Sequence, residues 1–242
     1  MQGGASGFGK ALATRIVKLG GFVVLGDTNI SSLSRVANHL NDGYEKKAIY
    51  AECDVRKKDD LERLLQKAID EWNGFDVLVN CAGITEKDQF ISDSEDSWIQ
   101  VVRVDLEAVI LGTRMAIKHF LDAQKSGVVI NISSLAGLYP QPLQPVYAAA
   151  KAGVVSFTQS LGYLGQDANI RVNAICPSYA KTLLTKDLEG LVEKWITVDQ
   201  VVEAILLGIQ DTSLSGSIIR ITPEYGIDIV RDRKRGQTAA KI

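Results

Sequence analysis

Short β-branched runs alternate with longer stretches of helical period along this chain, and that alternation leaves few architectures open. The runs 22–25, 48–53, 77–80, 127–132, 171–175 and 217–221 read as strands. The stretches 10–19, 30–41, 58–72, 96–124, 145–164 and 198–210 read as helices. Gly20-Gly21 and Gly74 supply the stop signals that such helices need. The expectation is an α/β chain with one parallel, doubly wound sheet between two helical layers. A length of 242 residues, 46% of them hydrophobic, suffices for one large core, and no stretch resembles a linker. Residues 1–242 are therefore read as a single catalytic domain ending in a tail over 223–242.

Composition removes several function classes. A net charge of -2 argues against a surface that tracks nucleic acid, and two histidines argue against a histidine-rich metal site. Cys53, Cys81 and Cys176 are odd in number and lie in or beside apolar runs, which suits buried thiols in a reducing compartment. No apolar run is long enough to span a bilayer, so the expected location is cytoplasmic. The basic run over 231–235 reads as a solvated terminus.

Gly3-Gly4-Ala5-Ser6-Gly7-Phe8-Gly9 runs straight into the first helix. Glycines at such a turn let the backbone approach a pyrophosphate, which is held by free N–H groups and the positive end of the helix dipole. Asp27 ends the next strand, where a carboxylate bonds the ribose hydroxyls of an adenosine and repels a 2′-phosphate. Together these make a Rossmann-like fingerprint and favour NAD over NADP. Cys53-Asp54-Val55 and Asn80-Cys81 stand at two further strand ends, on the edge where a doubly wound sheet binds its ligand.

Only Met1 and Gln2 precede Gly3, so the strand that should run into the glycine loop is missing. That strand belongs in the middle of the sheet, and its loss would strand backbone groups on its neighbours. The expectation is a truncated sequence or a crippled protein, with closure of the gap by neighbouring strands as a third option.

The run 127–132 delivers Ser134 to the same edge, and Tyr147 and Lys151 stand one helical turn apart on the following helix. A free tyrosine, with a pKa of about 10, is a poor base near neutrality. A neighbouring ammonium favours its phenolate, and a serine hydroxyl can hold the oxygen of an alcohol that loses its proton. A nicotinamide then takes the hydride, with no metal required.

Gly3, Gly7 and Gly9, then Asp27, Asp54, Asn80-Cys81-Ala82-Gly83, Ser134, Tyr147-Ala-Ala-Ala-Lys151 and Cys176-Pro177, resemble the short-chain dehydrogenase/reductase family over nearly the whole chain. The resemblance implies an NAD-dependent oxidation of a secondary alcohol, such as a lipid-like hydroxy compound, to a ketone. It assigns Tyr147 as base, Lys151 to the nicotinamide ribose and to tuning Tyr147, Ser134 and Gln144 to the substrate, and Ala180 and Thr182 to the carboxamide region. It also implies a homodimer paired through the helices that carry Asp105 and Tyr147.

Three positions depart from the family pattern. Gln2 replaces a threonine, Ser178 replaces a glycine, and Asp105 stands where an asparagine commonly helps hold a relay water. Asp105 is kept among the catalytic candidates, with an added negative charge near the site. The competing reading is a non-catalytic or truncated member that binds nucleotide without turnover. Leu183, Leu184, Leu188, Leu191, Val192 and Trp195 form an apolar stretch that reads equally as a lid over an apolar substrate or as the packing face of a short helix.

Overall fold

The computed structural model describes residues 1–43, 46–93, 97–188 and 190–230. Helix α1 (Gly7–Lys18) buries Leu12, Ala13 and Val17 on one face and leads through β1 (Val23–Asp27), α2 (Ile30–Asn41), β2 (Ala48–Glu52) and α3 (Lys58–Trp72) to β3 (Val77–Asn80). Next, α4 (Trp98–Val102) passes through a π-helical turn (Arg103–Glu107) into α5 (Ala108–Asp122). Then come β4 (Gly127–Ile132), α6 (Pro145–Ser160), α7 (Leu164–Asp167), β5 (Ile170–Pro177), α8 (Val198–Gln210), β6 (Ile218–Thr222) and β7 (Gly226–Val230). Strands β3-β4-β5-β6 pair in parallel, β7 closes that edge antiparallel, and β2 pairs parallel with β1.

Each central strand feeds two cores. Ile130 and Ile175 face α1 and α8 with Leu12, Ile205 and Ile219, while Val129 and Val172 face the other layer with Leu78, Ala116 and Phe120. Strand β5 is buried at all eight positions, which explains why it reads as a continuous apolar run rather than an alternating one. Full burial of such side chains contributes about 1.5–3 kcal/mol each.

Met1 and Gln2 occupy the place of the expected first strand. The Met1 backbone nitrogen donates to Val24 O, Gly26 N–H donates to Met1 O, and Gln2 N–H donates to Val79 O at 3.2 Å. A parallel bridge between Gln2 and Gly26 continues this pairing. Two residues thus link the β1–β2 pair to the five-stranded sheet, and closure of the gap by β1 and β3 does not occur.

Other sequence expectations need correction. The long helix expected over 96–124 is interrupted by the π turn, and its first residue, Asp96, lies outside the described residues. The helix expected over 145–164 ends at Ser160, and α7 follows after a turn in which Gly162 packs on Gly216, where a side-chain carbon would sit 3.1 Å from the Gly216 Cα. The expected tail begins with an edge strand instead. Arg220 and Asp228 face each other across β6 and β7 and form a bidentate ion pair of 3.0 and 2.7 Å, which fixes the register of 226–230. The basic run over 231–235 lies outside the described residues. No described helix is long and apolar enough to cross a membrane.

Candidate active site

The carboxyl ends of the strands open onto a cavity of about 930 Å³. Gly3, Ser6, Gly7 and Phe8 line one end with Asp27, Cys53, Asp54 and Val55, and Cys81 lies beyond them. Ser134, Gln144, Tyr147 and Lys151 line the other part with Ala180 and Thr182. Of the eighteen positions assigned above to cofactor, substrate or catalysis, fifteen therefore share one cavity. Gly9, Asn80 and Asp105 are the ones that do not line it.

Each of those three has a packing reason. A Cβ on Gly9 would overlap Gly3 O, so this glycine lets α1 start against the loop. Asn80, 1% exposed, donates from Nδ2 to Thr113 Oγ1 at 3.0 Å and to Asn131 Oδ1 at 2.8 Å, and Asn131 in turn donates to Thr158 Oγ1 at 3.0 Å. This chain of buried amides and hydroxyls ties β3 and β4 to α5 and α6. Asp105 is fully buried behind Lys151.

The glycine end fits a dinucleotide. Gly3 and Gly7 hold left-handed φ values of 66° and 49°, and a Cβ on Gly7 would point into space bounded only by the Thr182 side chain at 3.6 Å. Ser6 caps α1 without a side-chain bond, which leaves its first-turn N–H groups to an anion. Asp27 accepts from Ala5 N–H at 3.2 Å and Asn29 N–H at 3.0 Å, one bond per carboxylate oxygen, and each oxygen keeps a lone pair for a ribose hydroxyl. Asp54 is fixed in turn: its N–H donates to Asp60 Oδ2 at 2.9 Å, and its carboxylate pairs with Arg56.

At the other end, Lys151 is 3% exposed, and its Nζ donates to Ile132 O at 2.9 Å. The same nitrogen lies 5.5 Å from the Tyr147 ring centre and 3.0 Å from Asp105 Oδ2. The Asp105 contact is one of charge rather than an aligned hydrogen bond, and Asp105 Oδ1 accepts from Ile84 N–H at 2.9 Å. Burial pulls the Lys151 ammonium down, but Asp105 and then Tyr147 outweigh it and hold the group above the ordinary lysine value. Burial pushes the Asp105 carboxyl up, against Lys151 and the Ile84 N–H. Burial also raises the Tyr147 phenol; Lys151 draws it down, Asp105 pushes it back up, and the Ser134 hydroxyl lowers it less. The thiols are pushed up by burial, Cys53 to about 12 and Cys81 and Cys176 to about 11, so none is a ready nucleophile.

Glu86 belongs to the site without any sequence motif pointing to it. It is 9% exposed, lines the cavity, and accepts the Tyr147 N–H at 2.9 Å, so it caps the helix that carries Tyr147 and Lys151. Thr85-Glu86-Lys87-Asp88 reads as a solvated loop, and no local signal marks one carboxylate for burial. The same holds for Tyr179, which follows β5 and raises the Tyr147 phenol by a small amount. The stretch 183–188 forms a short 3-10 helix whose Leu183, Leu184 and Leu188 line the cavity, while Trp195 stacks edge-on with Tyr179.

A doubly wound sheet with a glycine cradle at one strand end and a serine, a tyrosine and a lysine gathered at the others defines a nicotinamide-dependent oxidoreductase acting on a CH–OH group. The chain matches the short chain dehydrogenase family over residues 1–190 and belongs to it. It is 29% identical to 15-hydroxyprostaglandin dehydrogenase [NAD(+)] of Homo sapiens, over 94% of this chain and 91% of that protein. It is 34% identical to 3beta-hydroxysteroid dehydrogenase 2 of Eggerthella lenta, over 75% of this chain and 70% of that one. Among solved structures, 3-ketoacyl-(acyl-carrier-protein) reductase from Brucella melitensis complexed with NADH superposes with a TM-score of 0.81 at 27% identity, covering 91% of this chain and 94% of that chain.

Proposed function

We propose that this protein is an NAD-dependent dehydrogenase that interconverts an apolar secondary alcohol and its ketone. The observation that carries this reading is the meeting of Asp27, the Gly3–Gly7 loop, Ser134, Tyr147 and Lys151 in one cavity. Gly3, Ser6, Gly7 and Phe8 would hold the pyrophosphate, Asp27 the adenosine ribose, Cys53, Asp54, Val55 and Cys81 the adenine side, and Ala180 and Thr182 the nicotinamide. The bound nicotinamide supplies the hydride acceptor in oxidation and the donor in reduction.

The chain's own residues handle the proton. Ser134 and Tyr147 hold the substrate oxygen, Tyr147 takes or returns its proton, and Lys151 steadies the phenolate through charge. Asp27 favours NAD because a second anion at the ribose would face its carboxylate. Leu183, Leu184 and Leu188, which line the cavity together with Gln144, suit a lipid-like alcohol, in line with the prostaglandin and steroid names of two relatives. Homodimer formation through the helices that carry Asp105 and Tyr147 and a cytoplasmic location belong to the same reading.

Calorimetric titration with NAD and NADP, followed by a screen of secondary alcohols, tests it. Saturable NAD binding with turnover supports the proposal. A folded protein that binds neither dinucleotide would remove it, and binding without turnover of any alcohol or ketone would favour the non-catalytic alternative.

A further inference from the structure

The base of this site faces a lysine whose charge is already answered. Asp105 sits within the π-helical turn, fully buried, with Oδ2 3.0 Å from Lys151 Nζ, and Lys151 is in turn 5.5 Å from the Tyr147 ring centre. Gly83 packs against the pair, and a side-chain carbon there would lie 3.2 Å from Asp105 Oδ2 and 3.6 Å from Lys151 Nζ. The other groups acting on Lys151 and Tyr147 are Cys81 after β3, Ser134 after β4, and Tyr179 after β5. Glu86 reaches the Tyr147 backbone N–H, and Cys176 of β5 feels Lys151. The two thiols are neutral near neutrality because burial raises both. Asp105 is therefore the nearest group able to neutralise the ammonium that would otherwise favour a Tyr147 phenolate.

Resting on the oxidoreductase reading above, we propose that Asp105 is a positioning residue: by pairing with Lys151 it keeps Tyr147 a neutral phenol, so that near neutral pH the site is set for ketone reduction, and oxidation needs alkaline conditions. In reduction, the carbonyl carbon receives a hydride from the reduced nicotinamide, the carbonyl oxygen takes the Tyr147 proton, and the phenolate left behind is reprotonated from solvent. Oxidation is the reverse: the C–H and O–H bonds break, the hydride passes to the oxidised nicotinamide, and the proton passes to the phenolate. Asp105 does not alter the overall equilibrium, which belongs to substrate and cofactor. It sets the pH at which each form of Tyr147 is present.

The test is the pH dependence of kcat/KM in both directions, for the unmodified protein and Asp105→Asn, with a panel of cyclic and aliphatic secondary alcohols and their ketones. A second readout, independent of turnover, is tyrosinate absorbance during alkaline titration of both proteins, with Tyr147→Phe as the subtraction. The expected result is an oxidation profile for the unmodified protein that still climbs about tenfold per pH unit above neutrality, while reduction stays level there. Asp105→Asn should move the bend about one unit or more toward acid, raising oxidation at neutral pH about tenfold, and should move the tyrosinate titration with it. Bends that coincide in the two proteins overturn the inference, as does an unmodified protein whose oxidation already levels off at neutral pH, a result that needs no variant to fold. Failure of every alcohol and ketone to react removes the oxidoreductase reading instead, and the tyrosinate titration then decides this one alone.

Discussion

The Glu86 carboxylate accepts the backbone N–H of Tyr147 across 61 residues of sequence, at 2.9 Å. It supplies from a separate loop the cap that Gln144, at the start of α6, does not provide with its own side chain. Glu86→Ala should cost about 1 kcal/mol of stability and lower kcat more than it weakens NAD binding, while Glu86→Gln keeps an acceptor and most of both. Denaturation curves and a comparison of kcat with NAD affinity check this; equal losses in both variants would assign the effect to charge instead.

Tyr147→Phe removes the hydroxyl and leaves the ring. Turnover should fall at least about 100-fold, the low end of general acid–base contributions, with NAD affinity nearly unchanged. Steady-state rates and calorimetry on one preparation measure both, and a variant of near-normal rate would assign the proton transfer elsewhere.

Asp27→Ala should weaken NAD about 10- to 100-fold, the loss expected for hydrogen bonds to a charged acceptor, and should narrow the gap between NAD and NADP. Competition binding of the two dinucleotides measures the gap directly. A variant with unaltered NAD affinity would show that the two bonds from Ala5 and Asn29 are the whole role of this carboxylate.

Two glycines of one loop should respond differently to alanine. At Gly9 the added carbon has no room beside Gly3 O, so Gly9→Ala should cost about 3 kcal/mol or more and disrupt the loop. At Gly7 there is room but the backbone is left-handed, so Gly7→Ala should cost about 1–2 kcal/mol. Thermal unfolding of the pair, with and without NAD, separates packing from backbone strain.

The Asp60 carboxyl is held below the usual carboxylate range, first by the Asp54 N–H and then by Arg63. A folded pKa below the unfolded one means that its stabilisation is complete above the unfolded value, about 3.9, and is lost as pH falls through the lower folded value. Urea unfolding against pH should therefore show Asp60→Asn less stable by about 1 kcal/mol at pH 6, with the difference closing below about pH 4. A constant difference across that range would trace the loss to packing.

Much of this molecule is legible in order along the chain. Apolar runs bounded by glycines place α1, β1, α2, β2, α3 and β3 within a few residues, because period and stop signals are local properties. Asp27, Ser134, Tyr147 and Lys151 are legible for a related reason: each stands at a strand end or one helical turn from its partner, and in a doubly wound sheet strand ends share an edge. Asn80 and Gly9 stand at the same edge but do not line the cavity, since only side-chain packing distinguishes a residue that lines a cavity from one that braces the wall behind it.

What the sequence by itself determined is the alternation of strands and helices, the glycine loop ahead of α1, and the carboxyl edge where chemistry-bearing residues collect. Tertiary structure alone decided that Met1 and Gln2 bond to both β1 and β3, that a loop glutamate caps the helix of Tyr147, and that Asp105 turns through a π-helical step to meet Lys151. The physical reason is one of range: periodicity acts between residues a turn or two apart, whereas burial and charge pairing depend on which distant segments the sheet brings within about 3 Å, the reach of a hydrogen bond.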